Sequence, residues 1–159
     1  MISVSTTILV NPPGEPVRLT REDVWHGLKL KAANALPYVP AMTKCEVVEQ
    51  TDDVIIREIE FRGQEFGERI TFVPQQQVRF ERISGPVMGT ILNDILEDDD
   101  GELELRFSFD LVLEGVEPGS QEERDYEGTM TVDYLAAVTS TVAAMRRMAA
   151  ERLAVSEAR

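Results

Sequence analysis

From residue 44 to residue 114, apolar and polar side chains alternate in short runs, and this two-residue period predicts β-strands. The predicted strands cover 4–10, 44–50, 53–62, 64–73, 78–83, 87–97 and 103–114. The last is the most regular. In LELRFSFDLVL, Leu103, Leu105, Phe107, Phe109, Leu111 and Leu113 face one way, and Glu104, Arg106, Ser108 and Asp110 the other. One face is therefore buried and one wet. Turns at DD, RG, PQQ, SGP and DDDG join the runs so tightly that successive strands must be antiparallel neighbours.

The period changes to that of a helix in two places. LTREDVWHGLKLKAANALP follows the first strand and an NPPGEP turn; Thr20 with Asp23 forms a capping-box pattern, Val24, Trp25, Leu28 and Ala32 share one side, and Pro37 ends the run. The YVPAM connection after it suits a second helical turn. At the C-terminus, Tyr134, Val138, Thr141, Val142, Met145, Met148 and Ala149 make an apolar stripe opposite Arg146, Arg147 and Arg152. SQEE offers a start at Ser120, whereas Gly128 and the β-branched TMTV run favour one nearer Thr131. The fold class is thus α+β: a strand, a short helix pair, a run of antiparallel strands and one long helix lying on the sheet.

Two strands break their own pattern. In DVIIREIEFRGQEFGERITF, Arg57 shares a face with Ile55, Ile59 and Phe61, and Glu68 shares one with Phe66, Ile70 and Phe72. A two-residue turn at Arg62-Gly63 sets Arg57 opposite Glu68, the pairing that the apolar faces demand independently. A charge on an apolar face costs several kcal/mol unless it is paired, and a paired one still loses its hydration. A second polar position follows from the GTILNDILEDDDGE hairpin. A two-residue Asp100-Gly101 turn sets Asp94 opposite Phe107, and a three-residue Asp99-Asp100-Gly101 loop sets Asn93 there. Burying the amide costs less and brings Ile91 and Ile95 onto the apolar face, so Asn93 is expected inward.

Composition narrows the function classes. The 159 residues fit one domain, 1–159, with 43% hydrophobic and 28% charged side chains. With 29 acidic against 16 basic side chains, the net charge of -13 argues against nucleic acid as a partner. No run is long enough to enter a membrane, and the start, broken at Pro12-Pro13 with no basic residue before it, reads as a strand and turn. Cys45 is the only cysteine, so no internal disulfide forms and a cytoplasmic location is expected. His26 is the only histidine and is expected at the surface or in helix packing; no zinc set, Cys-His nucleophile, phosphate loop or calcium loop can be assembled. No cofactor or metal is called for.

The segments LTREDVWHGLKLKA, VPAMTKCEVVE, IIREIEF, VRFERISGPVMGTILNDI and LELRFSFDL resemble the AtaL-like family of the START, polyketide-cyclase and birch-pollen-allergen superfamily, whose fold is the helix grip. That resemblance implies a curved sheet around the C-terminal helix and a cavity between them for a small hydrophobic molecule such as a lipid, polyketide or aromatic compound. The lining it implies comes from Trp25, Leu28, Ile55, Ile59, Phe61, Phe66, Ile70, Phe72, Phe107, Phe109, Tyr134, Val138 and Met145, and the inward Arg57, Glu68 and Asn93 join these as candidate ligand-binding residues. Two readings of the charged pair stay open: Arg57 anchors a ligand oxygen while Glu68 orients it or acts as a base, or the two satisfy each other structurally. The first gives a binding protein or, by resemblance, a cyclase- or aromatase-like enzyme in which Arg57 and Glu68 act with Tyr134 and Asn93. The second suits an interaction module with a filled core, whose exposed edge over residues 2–10 pairs in a homodimer.

Overall fold

The computed structural model describes residues 1–157. Among them β1 (Ile2–Leu9), β2 (Met42–Gln50), β3 (Val54–Phe61), β4 (Gln64–Val73), β5 (Gln77–Ser84), β6 (Val87–Glu97) and β7 (Leu103–Leu113) form one antiparallel sheet in the order β1-β7-β6-β5-β4-β3-β2. Each hairpin is a nearest-neighbour step, as the short turns require. The one long-range pairing is β1 with β7, in which Val4 faces Phe109 and Ile8 faces Leu105. Helices α1 (Arg21–Ala33) and α2 (Gln121–Glu157) pack on each other, and α2 lies along β1 and β7. This is the helix-grip arrangement.

Inward strand residues Ile55, Ile59, Ile70, Val78, Leu105 and Leu111 meet Val24 and Leu28 of α1 and Tyr134, Val138 and Met145 of α2 in one buried cluster. Each such aliphatic side chain contributes roughly 1.5–3 kcal/mol of transfer free energy when fully buried. That sum holds α2 against the sheet. It also explains why α2 begins at Gln121 despite Gly128 and the Thr-Met-Thr-Val run: Met130 is 3% exposed, so tertiary burial overrides weak local propensity. Ser120 caps the start, its hydroxyl accepting from the Glu123 N–H at 3.2 Å. The stretch after α1 forms hydrogen-bonded turns rather than a second helix, with Tyr38 and Val39 N–H groups both donating to the Ala35 carbonyl. Two prolines, Pro37 and Pro40, remove the donors that a longer helix needs.

Three local devices position the interior polar groups. The β3–β4 turn has φ of 49° at Arg62 and 77° at Gly63, the two positive values of a type I′ turn, and its register places Arg57 opposite Glu68. Between β4 and β5 the regular register that runs from Val73–Gln77 sets Arg82 beside Glu68, and the pairing steps only beyond it, to Gly67–Ser84, where Ile83 bulges out. The β6–β7 loop sets Asn93 opposite Phe107, as the three-residue loop predicted. Asp94 faces the other way, held by Gln77 Nε2 at 2.8 Å and Arg106 Nη2 at 3.2 Å.

α1 is fixed at both ends. Its capping box is complete: Thr20 Oγ1 accepts from the Asp23 N–H at 3.1 Å, and Asp23 Oδ2 accepts from the Thr20 N–H at 2.8 Å. Gly27 lies where α1 crosses α2, and a Cβ there would meet the Cγ of Met145 at 2.5 Å and its Cε at 2.8 Å. Gly27→Val is therefore expected to lower stability by about 1–3 kcal/mol. Adding Met145→Ala to it recovers part of the loss. Chemical denaturation of the two single variants and the double variant measures this; strictly additive losses would contradict a contact at this crossing.

Candidate functional site

Glu68, 2% exposed, is held from both neighbouring strands. Arg57 Nε donates to its Oε1 at 2.9 Å, and Arg82 Nε donates to its Oε2 at 3.2 Å. Arg57 also closes α1 from below: its Nη1 donates to the carbonyls of Lys31 and Ala32, each at 3.0 Å. Those carbonyls belong to the last turn of α1, where no intrahelical donor remains and the helix dipole is negative. One guanidinium thus joins a helix end to a sheet carboxylate. The rings of Phe80 and Phe66 flank the two arginines, at 5.3 Å from Arg57 and 3.9 Å from Arg82.

Lys31 points from that same helical turn into the interior and is 5% exposed. Its Nζ donates to Asn93 Oδ1 at 2.8 Å and sits over Phe107 and Phe80, 4.5 and 4.8 Å from their centroids. No carboxylate lies within ion-pair distance of it among the described residues. Burial, followed by repulsion from Arg57, pushes the Lys31 ammonium down to about 7. Glu68 moves in the direction of the charged form: burial alone pushes its carboxyl up, but Arg57 and Arg82 together hold it below the ordinary carboxylate range. Tyr134 stacks edge-on against Phe109 at 4.3 Å, and burial pushes its phenol up, so the hydroxyl keeps its proton.

These groups surround a cavity of about 50 Å³, room for a few water-sized groups. Of the residues predicted from sequence, Arg57, Ile59, Phe61, Glu68, Asn93, Phe107 and Tyr134 line it. Ile70, Phe109, Val138 and Met145 are buried behind that wall as packing. Trp25 stands away from it, half-buried and edge-on to Phe72 at 6.1 Å. Besides the apolar Val39, Met42, Phe80, Ile91 and Ala137, two charged lining residues, Lys31 and Arg82, are absent from the sequence-based set. Both were within reach of the patterns: Lys31 lies seven residues after Val24 and three after Leu28, and Arg82 continues the inward series Val78, Phe80. His26 is exposed, beside a separate surface groove of about 490 Å³ between α1 and the end of α2.

The donors are unevenly used. Arg57 and Glu68 saturate each other and their neighbours, which favours the structural reading of that pair. Arg82 Nη1 and Asn93 Nδ2, by contrast, are buried with no hydrogen-bond partner among the described residues. Two guanidiniums and the Lys31 amine face one carboxylate, so the cavity wall is positive within a chain of net charge -13.

Two stability effects follow. Glu68→Gln leaves two buried guanidiniums without their counter-charge and is expected to cost about 3–5 kcal/mol. Urea denaturation near neutral pH checks it; a loss below 1 kcal/mol is incompatible with a buried bracket. Lys31 acts in the other direction. Because its folded value lies near 7 and its ordinary value is 10.5, the unfolded chain binds one more proton between those limits, and stability rises with pH across them. Relative to wild type, Lys31→Met should therefore gain stability as pH falls from 10 towards 7, read from denaturation midpoints across that series.

Comparison with known structures matches the architecture. The Zhui aromatase/cyclase from Streptomyces sp. R1128 superposes with a TM-score of 0.68 at 14% identity, covering 91% of this chain and 93% of its own. A START superfamily protein from Mycobacterium smegmatis gives 0.64 at 14% identity, covering 93% and 99%. The di-domain ARO/CYC BexL from the BE-7585A biosynthetic pathway gives 0.64 at 13% identity, covering 92% of this chain and 49% of its own. These likenesses establish the fold. No curated protein matches the sequence. The family model for acetylaranotin biosynthesis cluster protein L, AtaL, matches residues 4–152, and the chain therefore belongs to the AtaL family.

Proposed function

We propose that this protein binds a compact, largely apolar molecule with one oxygen-bearing polar head, a carbonyl or carboxylate, in the cavity between the sheet, α1 and α2. The observation that carries this is the pair of buried donors, Arg82 Nη1 and Asn93 Nδ2, facing the cavity without protein partners. Leaving such a group unpaired costs about 1–3 kcal/mol, more for a charged one, and a ligand oxygen removes the cost. The rest of the wall, including Ile59, Phe61, Ile91 and Phe107, suits an apolar body. The surplus of positive charge favours an anionic or strongly polarised head.

A cyclase- or aromatase-like activity is the second reading. It draws on the fold shared with Zhui and BexL and on the protonated Tyr134 hydroxyl at the cavity wall. In it, Arg57 and Glu68 hold the frame, and Arg82, Asn93 and Lys31 present the groups that meet an enolate oxygen. A module with a filled core is disfavoured by the cavity and its unpartnered donors.

Thermal denaturation in the presence of glyoxylate, pyruvate and acetoacetate, three compact oxo acids of increasing size, tests binding. A ligand at a hundredfold excess over its Kd is expected to raise the Tm by about 5–10 °C. The shift should vanish in Arg82→Met and shrink in Asn93→Leu. A Tm unmoved by every probe, together with a bare apoprotein mass after native isolation, would sink the reading.

A further inference from the structure

The environment of Lys31 differs from that of every other cation at the site. Arg57 and Arg82 are held by Glu68, whereas the Lys31 amine has one neutral partner, Asn93 Oδ1 at 2.8 Å, and two aromatic rings. Its main chain is fixed, because the Lys31 carbonyl accepts from Arg57 at 3.0 Å. The side chain is thus presented to the cavity from a rigid helix end, beside Arg57 and away from solvent.

The choice of residue is informative. Only three of the 16 basic side chains are lysines, namely Lys29, Lys31 and Lys44. Arginine is the better residue for a buried structural cation, since its fork satisfies several acceptors and its charge persists. A lysine in this place loses its proton readily. Desolvation and a neighbouring cation are the two conditions that turn an amine into a nucleophile.

We propose that Lys31 captures the carbonyl carbon of a compact oxo acid or 1,3-dicarbonyl compound as an imine. This inference rests on the binding site proposed above and gives it a substrate class and a nucleophile. The neutral amine's lone pair adds to the carbonyl carbon, and the π pair moves to oxygen, which takes a proton. Nitrogen loses one proton to give the carbinolamine, whose hydroxyl takes a second proton and departs as water while the nitrogen lone pair closes C=N. Loss of the remaining N–H proton gives the imine, so two protons pass from nitrogen to oxygen in all and no oxidant or reductant is consumed. Tyr134 lines the same cavity, and its hydroxyl, which keeps its proton, is a hydrogen-bond donor for that oxygen. Arg82 Nη1 and Asn93 Nδ2 are the donors available for the ligand's acidic group.

The groups facing the amine are Arg57 on β3, Glu68 on β4, Cys45 on β2, Arg82 on β5, Asn93 on β6 and Tyr134 on α2. Glu68 is held by two arginines and is a poor acceptor for the lysine proton. Burial and Arg57 favour the neutral amine, as the lowered Lys31 value indicates.

Reductive trapping tests this directly on the full chain. The protein is incubated with each of the three oxo acids and sodium cyanoborohydride, and the reduced adduct is located by peptide mapping. Lys31 should be modified about tenfold or more faster than Lys29 or Lys44 at neutral pH, with a rate that rises through a midpoint near 7. Lys31→Arg should lose the adduct. Modification spread over Lys29, Lys44 and the amino terminus, with Lys31 untouched, overturns the inference. If the oxo acids raise the Tm while no Lys31 adduct forms, the nucleophile is refuted and the binding reading stands; if neither occurs, both fall.

Discussion

The carboxylate of Glu68, gripped by Arg57 and Arg82, is the interaction on which the interior depends. It ties β3, β4 and β5 through one side chain, and through Arg57 it reaches the last turn of α1. Each ion lost its hydration on folding, so the cluster adds little net stability over an apolar core of equal volume. What it supplies is geometry. Helix α1 cannot slide along the sheet without breaking two hydrogen bonds from a buried guanidinium, and Lys31 is carried in that same turn. The polar groups of the cavity are therefore held by charges that a ligand does not need to touch.

A buried polar network is safe when every member is satisfied and costly when one is not. Here the network is complete in its lower half and incomplete in its upper half. Arg57 uses Nε and Nη1 on protein acceptors, while Arg82 leaves Nη1 over and Asn93 leaves Nδ2. The division of labour follows the structure: residues that face a strand neighbour and a helix end become scaffold, and residues one strand further along retain free valence. Identical chemistry in the two arginines thus leads to different roles through position alone.

Much of this was legible in the sequence, because it depends on period and turn length. The strand faces, the Arg57–Glu68 pairing, and the choice of Asn93 over Asp94 all follow from alternation constrained by hairpin registers. The misses share one cause. Lys31 and Arg82 are long cationic side chains, and an inward position for them conflicts with the rule that such groups stay in water. Arg82 meets Glu68 in the regular register set by the β4–β5 turn, ahead of the bulge at Ile83, so only its charge argued against the inward position. Trp25 was misplaced for the complementary reason. A large apolar residue on a helical stripe need not lie at its centre, and Phe72 offers it a separate partner nearer the surface.

The opposition between the cavity's charge and that of the whole chain has a kinetic side. A body of net charge -13 repels an approaching anion over distances set by the Debye length, about 8 Å at physiological ionic strength, whereas the cationic wall acts only on a molecule already inside. Such a field filters by total charge before contact. Multiply charged anions are repelled more strongly at long range than a molecule carrying a single negative charge. Added salt flattens that repulsion without weakening the shielded interior contacts to the same degree, so ionic strength acts on how fast such a molecule arrives more than on how firmly it is held.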